Sequence, residues 1–120
     1  SIRHGAYLRG GVLTGNRCVI GHATEVKNGI FFDDAKAPHF NYVGDSILGR
    51  GVNLGAGAKL ANFRLDEKEV FVVWEKEKVF TGLKKLGAIL GDGVKVGCNA
   101  VTNPGTLIFP KRLIRACAVI

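Results

Sequence analysis

Residues suited to an interior recur every six positions along most of this chain. Aliphatic or near-aliphatic anchors stand at Ile2, Leu8, Thr14, Ile20, Val26 and Phe32, resume at Val43, Leu48, Leu54 and Leu60, and return at Leu90, Val96, Thr102, Ile108, Ile114 and Ile120. Four residues after many of them comes a second, usually small, inward candidate: Ala6, Val12, Cys18, Thr24, Val52, Ala58, Val94, Ala100, Thr106 and Ala118. Glycine often follows the anchor directly, as at Gly21, Gly44, Gly49, Gly55, Gly91 and Gly97. Neither the alternation of a half-buried strand nor the period of an amphipathic helix produces this pattern. It is the hexapeptide repeat of a parallel β-helix. Each hexad supplies a short strand and a corner, and three hexads close a triangular coil of eighteen residues. The coils stack through backbone hydrogen bonds along the axis. Glycine suits the corners because it accepts positive φ and lets stacked backbones approach.

The interruptions carry as much information as the repeat. Two consecutive five-residue units, 38–42 and 43–47, predict a local bend that holds His39, Asn41 and Tyr42. Lys36 and Arg112 fall where a small inward residue belongs. In an eighteen-residue coil, Lys27, Tyr42 to Asp45 and Asn62 come near one corner in successive turns, so Lys27, Tyr42 and Asn62 are expected to converge with His39. Asp45 reads as a corner cap. From about 63 to 86 the rhythm stops, and two β-rich runs, 69–74 and 79–81, flank a charged turn. That predicts a hairpin arm inserted into an otherwise regular all-β solenoid, with Trp74 in a packing role. Insertions in repeat proteins map to functional or oligomer surfaces.

Composition narrows the chemistry. The 120 residues suit one domain. A net charge of +7 favours anionic ligands. The basic residues are dispersed, with Lys84-Lys85 and Lys111-Arg112 the densest pairs, and no aromatic-basic stripe suggests nucleic acid. Cys18, Cys98 and Cys117 form no paired spacing, which fits a reducing cytoplasm, and no membrane span is legible. The absence of methionine and a first residue beside an anchor suggest a piece of a longer chain. His4 and His22, eighteen residues apart, stack in adjacent coils; His39 lies one residue out of that phase, so no metal site is expected.

The run Glu25-Val26-Lys27, His39-Phe40-Asn41-Tyr42-Val43-Gly44-Asp45, Val52-Asn53-Leu54-Gly55-Ala56-Gly57 and Ala61-Asn62 resembles the acetyltransferase half of the bifunctional enzymes that make UDP-N-acetylglucosamine. The arm, with Asn62 to Val70 and Thr81 to Gly87, is similar to that of archaeal-type and related bacterial sugar-phosphate nucleotidylyltransferases. The resemblance implies a left-handed parallel β-helix, a homotrimer with sites between subunits, and acetyl-coenzyme A as cosubstrate. It implies acetyl transfer to the amine of a hexosamine-1-phosphate, most naturally glucosamine-1-phosphate.

By position, the resemblance makes His39 the general base, a task suited to imidazole because it titrates near neutral pH. Arg3 and Lys27 would hold the sugar phosphate, although about one extra hexad separates them here. Tyr42 and Asn53 would bind the sugar, and Asn62 and Lys68 would lie near acceptor and donor. Ala56 and Cys98 would contact coenzyme A, and backbone N–H groups around Ala56-Gly57 would steady an oxyanion. The likeness departs at Phe71, where a lysine is expected, and at Cys98, where serine is common. No residues for a nucleotidyltransferase domain are present, so the expected unit is a single β-helix domain over 1–120, from the C-terminal part of a longer chain. The alternative is an assembly or regulatory β-helix of a sugar-1-phosphate nucleotidylyltransferase that catalyses nothing.

Overall fold

A computed structural model describes residues 1–120. It contains no helix, and so none long and apolar enough to cross a membrane. The chain winds through about six turns of a left-handed parallel β-helix. Face one stacks Val19–His22, Lys36–His39, Asn53–Leu54, Lys95–Val96 and Leu113–Ile114 as parallel strands. Face two stacks Tyr7–Leu8, the start of Glu25–Phe31, the start of Tyr42–Leu48, Lys59–Leu60 and Val101–Thr102. Face three stacks Val12–Thr14, the ends of the same two long strands, Ala88–Leu90 and Thr106–Ile108.

The anchors fill the interior as the repeat predicts, with Ile20, Val26, Val43, Leu48, Leu54, Leu60, Leu90, Val96, Thr102 and Ile108 all buried. Thr102 carries a hydroxyl with no hydrogen-bond partner into that apolar column. In the outermost coils Ile2, Thr14 and Ile120 are exposed. One anchor is misplaced by the sequence reading: Phe31 is buried and Phe32 exposed. The five-residue steps run from Val26 to Phe31 and from Val43 to Leu48, one above the other, where each long strand continues around the corner from face two to face three. Ile20 therefore pairs with Ala37, and Val26 with Val43, at a spacing of seventeen. Ala37 is the unrecognised anchor of that coil, Ala35 is its small inward residue, and Lys36 points outward and breaks nothing.

Glycine after an anchor serves close approach more than positive φ. A Cβ at Gly21 would strike the Pro38 carbonyl oxygen, and one at Gly55 would come within 2.6 Å of the Cys98 nitrogen.

The arm leaves between faces two and three. Phe71–Trp74 and Glu77–Phe80 form an antiparallel hairpin, turned by Glu75 and Lys76 at φ 50° and 67°. It folds back on the solenoid: Val70 is fully buried, and Trp74 lies 5.9 Å from Phe109, ring centre to ring centre.

Candidate functional site

Two corners collect the residues that the sequence singles out. The first joins faces one and two, where each coil places the second residue after its face-one anchor. That column reads His4, His22, His39, Ala56, Cys98 and Ala116. His22 pairs in register with His39, because the shortened coil brings the third histidine into phase with the other two. The His4 and His22 rings stack at 6.0 Å and 5°, and His22 Nδ1–H donates to the His4 carbonyl at 2.8 Å. This bond makes Nδ1 the donor of the His22 ring. No group of three or more His, Cys, Asp or Glu side chains is arranged to hold a metal ion.

The His39 ring is exposed, while its backbone is firmly held. Its N–H donates to Asn41 Oδ1 at 3.1 Å and its carbonyl accepts from Gly57 N–H at 3.0 Å. Asn41 is 2% exposed, and its Nδ2 donates to the carbonyls of Gly55 at 2.8 Å and Ala58 at 3.2 Å. Its own N–H donates to the buried Thr24 hydroxyl at 3.2 Å. Asn41 thus staples two coils beneath the histidine. Beyond His39 the column carries the small side chains of Ala56, Cys98 and Ala116, with Arg115 next to the last in sequence. Gly57 N–H is taken by His39 and is not free for an oxyanion, whereas Ala56 N–H makes no backbone bond.

The second corner joins faces two and three. Asn28 and Asp45 occupy its left-handed positions at φ 50° and 47°, a conformation that short polar side chains tolerate. Lys27 Nζ donates to both Asp45 oxygens, at 3.3 and 3.1 Å. Asn28 Nδ2 donates to one of them at 3.0 Å, and Asn62 Nδ2 to the other at 2.7 Å. Asn62 Nδ2 also reaches the Tyr42 hydroxyl at 3.2 Å. Burial pushes the Asp45 carboxyl up, but the donors on Asn28, Asn62 and Lys27 outweigh it and hold it below the usual carboxylate range.

Lys27, Tyr42 and Asn62 therefore converge on Asp45 and not on His39, which lies at the other end of face two. Arg3 sits at the first corner, its N–H bonded to the Ile20 carbonyl at 2.9 Å, so one chain does not bring it to Lys27. Asn53 lies on the flat of face one, in register with Lys36 and Lys95. Lys68 is exposed at the foot of the arm, where its N–H donates to Asp66 at 3.1 Å. Two cations lie over the Phe71 ring, the Arg64 guanidinium 5.0 Å from its centre and Lys78 Nζ at 4.7 Å. A cleft of about 510 Å³ opens beside it, lined by Ala61, Phe63, Arg64, Asn103 and Pro104 among others.

Known proteins are similar to this chain in sequence and in fold. No family model matches the chain. Over 103 residues, 86% of its length, the chain is 41% identical to the bifunctional sugar-1-phosphate nucleotidylyltransferase/acetyltransferase of Sulfurisphaera tokodaii. Over 115 residues, 96% of its length, it is 40% identical to the bifunctional protein GlmU of Methanococcus maripaludis. The chain is a homologue of part of these bifunctional proteins. It spans 26% and 28% of those two relatives, about a quarter of each. Among solved structures, the acetyltransferase domain of PglB from Neisseria gonorrhoeae, in complex with acetyl coenzyme A, superposes with a TM-score of 0.76. That match is 17% identical and covers 99% of this chain and 47% of the other, which establishes the fold.

Asn41 and Asp45 are the residues whose importance the sequence understates. Asn28, Asp45 and Asn62 recur at seventeen, the true length of the coils here, and that spacing is the signal that would have assembled the second corner.

Proposed function

We propose that this β-helix transfers an acetyl group from acetyl-coenzyme A to the amine of a hexosamine-1-phosphate, with glucosamine-1-phosphate the first candidate. The observation that carries this reading is the ladder His39, Ala56 and Cys98 at one corner. It offers an exposed imidazole at the head of a strip of small side chains where an extended thioester can lie. The relatedness to bifunctional acetyltransferases supports it. Only the acetyl-transfer half of such a protein is assigned to these residues. The proposed setting is the cytoplasm, which suits the unpaired Cys18, Cys98 and Cys117.

In the reaction, the His39 imidazole takes a proton as the sugar amine attacks the thioester carbonyl carbon, and a C–N bond forms. The tetrahedral oxyanion is held by the Ala56 N–H, the donor left unbonded in the backbone there. Collapse breaks the C–S bond, and the proton returns from the imidazolium to the departing thiolate. A general base of this kind contributes about 10²–10⁴-fold to rate. Lys27, Tyr42, Asn62 and Asn53 would bind the sugar phosphate, with Arg3 and Lys68 completing the site from other surfaces. The proposal includes a homotrimer, because cyclic packing sets one surface of each subunit against a different surface of its neighbour. The first corner of one chain can then face the second corner of the next.

Free-thiol release from acetyl-coenzyme A, with glucosamine-1-phosphate and galactosamine-1-phosphate as acceptors, tests the proposal. Turnover with one of these sugars is expected. A folded trimer that releases no thiol with either sugar would overturn it and leave an assembly β-helix.

A further inference from the structure

The second corner contains one group that the reading above does not use. Asp45 receives donors from three side chains: Lys27 on both oxygens, Asn28 on Oδ1 and Asn62 on Oδ2. A carboxylate offers about four lone-pair sites, so these bonds fill it. The consequence passes to its neighbours. Because Asp45 only accepts, Asn62 must turn its amide nitrogen inward, which leaves the Asn62 carbonyl oxygen facing away. Asn62 also donates to the Tyr42 oxygen, so the Tyr42 O–H is left to donate elsewhere. Lys27 keeps one N–H beyond the two that Asp45 holds. Its long stem would otherwise sample many rotamers; here the ion pair fixes it with its side chain 21% exposed.

Asp45 also binds the arm at both ends. Asn62 begins the departure from the solenoid, and Gly87 N–H, at the return, donates to the Asp45 carbonyl at 2.8 Å. We propose that Asp45 is the positioning residue of this corner, orienting Lys27, Asn62 and Tyr42 toward the sugar phosphate and fixing the foot of the arm beside them. This inference rests on the acetyltransferase reading for its substrate. The free groups it leaves, one ammonium N–H, one phenolic O–H and one amide oxygen, suit a phosphate beside a sugar hydroxyl.

Asp45→Asn tests it, since asparagine keeps the shape and tolerates the left-handed backbone while removing the charge. The KM for hexosamine-1-phosphate should rise by about ten- to a hundredfold. The KM for acetyl-coenzyme A should stay within about twofold. Combined with Lys27→Met, the variant should add little to the effect of Lys27→Met alone. A lower melting temperature with both KM values unchanged would reduce Asp45 to a brace and overturn the proposal. A fall in the sugar-phosphate KM would also overturn it, by showing that Asp45 masks Lys27. Should the parent chain show no turnover, the acetyltransferase reading fails separately, and calorimetric titration of glucosamine-1-phosphate alone decides. Weaker binding by Asp45→Asn supports the inference; equal binding, or no binding by the parent, overturns it.

Discussion

At the first corner of the solenoid, His39 is exposed and no side chain hydrogen-bonds its ring; its backbone is fixed by Asn41 and Gly57. At the second corner nearly every polar atom is bonded to another side chain, with Asp45 at the centre. The contrast fits two tasks. A group that must exchange protons with a transient ligand works best with its ring nitrogens uncommitted, whereas a group that recognises a fixed anion gains from being pre-oriented. One repetitive scaffold supplies both, because each corner column repeats with the coil and can change its chemistry residue by residue.

Substitutions separate the corners, and the largest effect should come from removing what they share. Leu60 is fully buried on the strand that joins them. Leu60→Ala should cost about 2–5 kcal/mol in urea unfolding. It should impair both corners together, and loss at one corner alone would show that they are not coupled through the core. Asn41→Ala strips the bonds to His39, Gly55 and Ala58 from a buried site and should cost on the order of 1–3 kcal/mol. Its kcat should fall more than either KM. Ala56→Phe would fill the strip beyond His39 and should raise the KM for acetyl-coenzyme A about tenfold, leaving sugar-phosphate binding unchanged.

The smallest effect concerns acid. Asp66 is held at about 2 by hydrogen bonds from Arg64 and then from the Lys68 N–H. A carboxyl whose folded value is depressed contributes stability that is fully present above its ordinary value, near 3.8, and is lost as pH falls through about 2. The melting temperature of Asp66→Asn should therefore lie slightly below that of the parent at pH 7. The two should converge as pH approaches about 2. Both residues lie on the exposed arm foot, so a large difference at neutral pH would contradict this account.

How much of this was legible in the sequence follows from side-chain size and coil length. Large anchors such as Leu48, Leu54 and Leu90 announced the repeat, and the apolar runs around Glu75 to Lys78 announced the hairpin. Ala37 did not announce itself as an anchor, because a methyl group in the interior leaves no hydrophobic signal. Between the adjacent Phe31 and Phe32, composition cannot choose which turns inward, and the wrong choice moved the first shortened unit two faces along the coil, while the second, at Val43 to Leu48, was placed correctly. That error put His39 out of phase with His22 and drew Lys27, Tyr42 and Asn62 toward the histidine. Once seventeen residues per coil is used for this region, His22 and His39 align, and so do Asn28, Asp45 and Asn62.

The central claim is that the open corner performs the chemistry. Thiol release by His39→Ala, measured beside the parent at saturating acetyl-coenzyme A and sugar phosphate, tests it most directly. The account predicts a fall in kcat of about a hundredfold or more, with melting temperature and calorimetric sugar-phosphate binding retained. A variant that keeps parental kcat would contradict it.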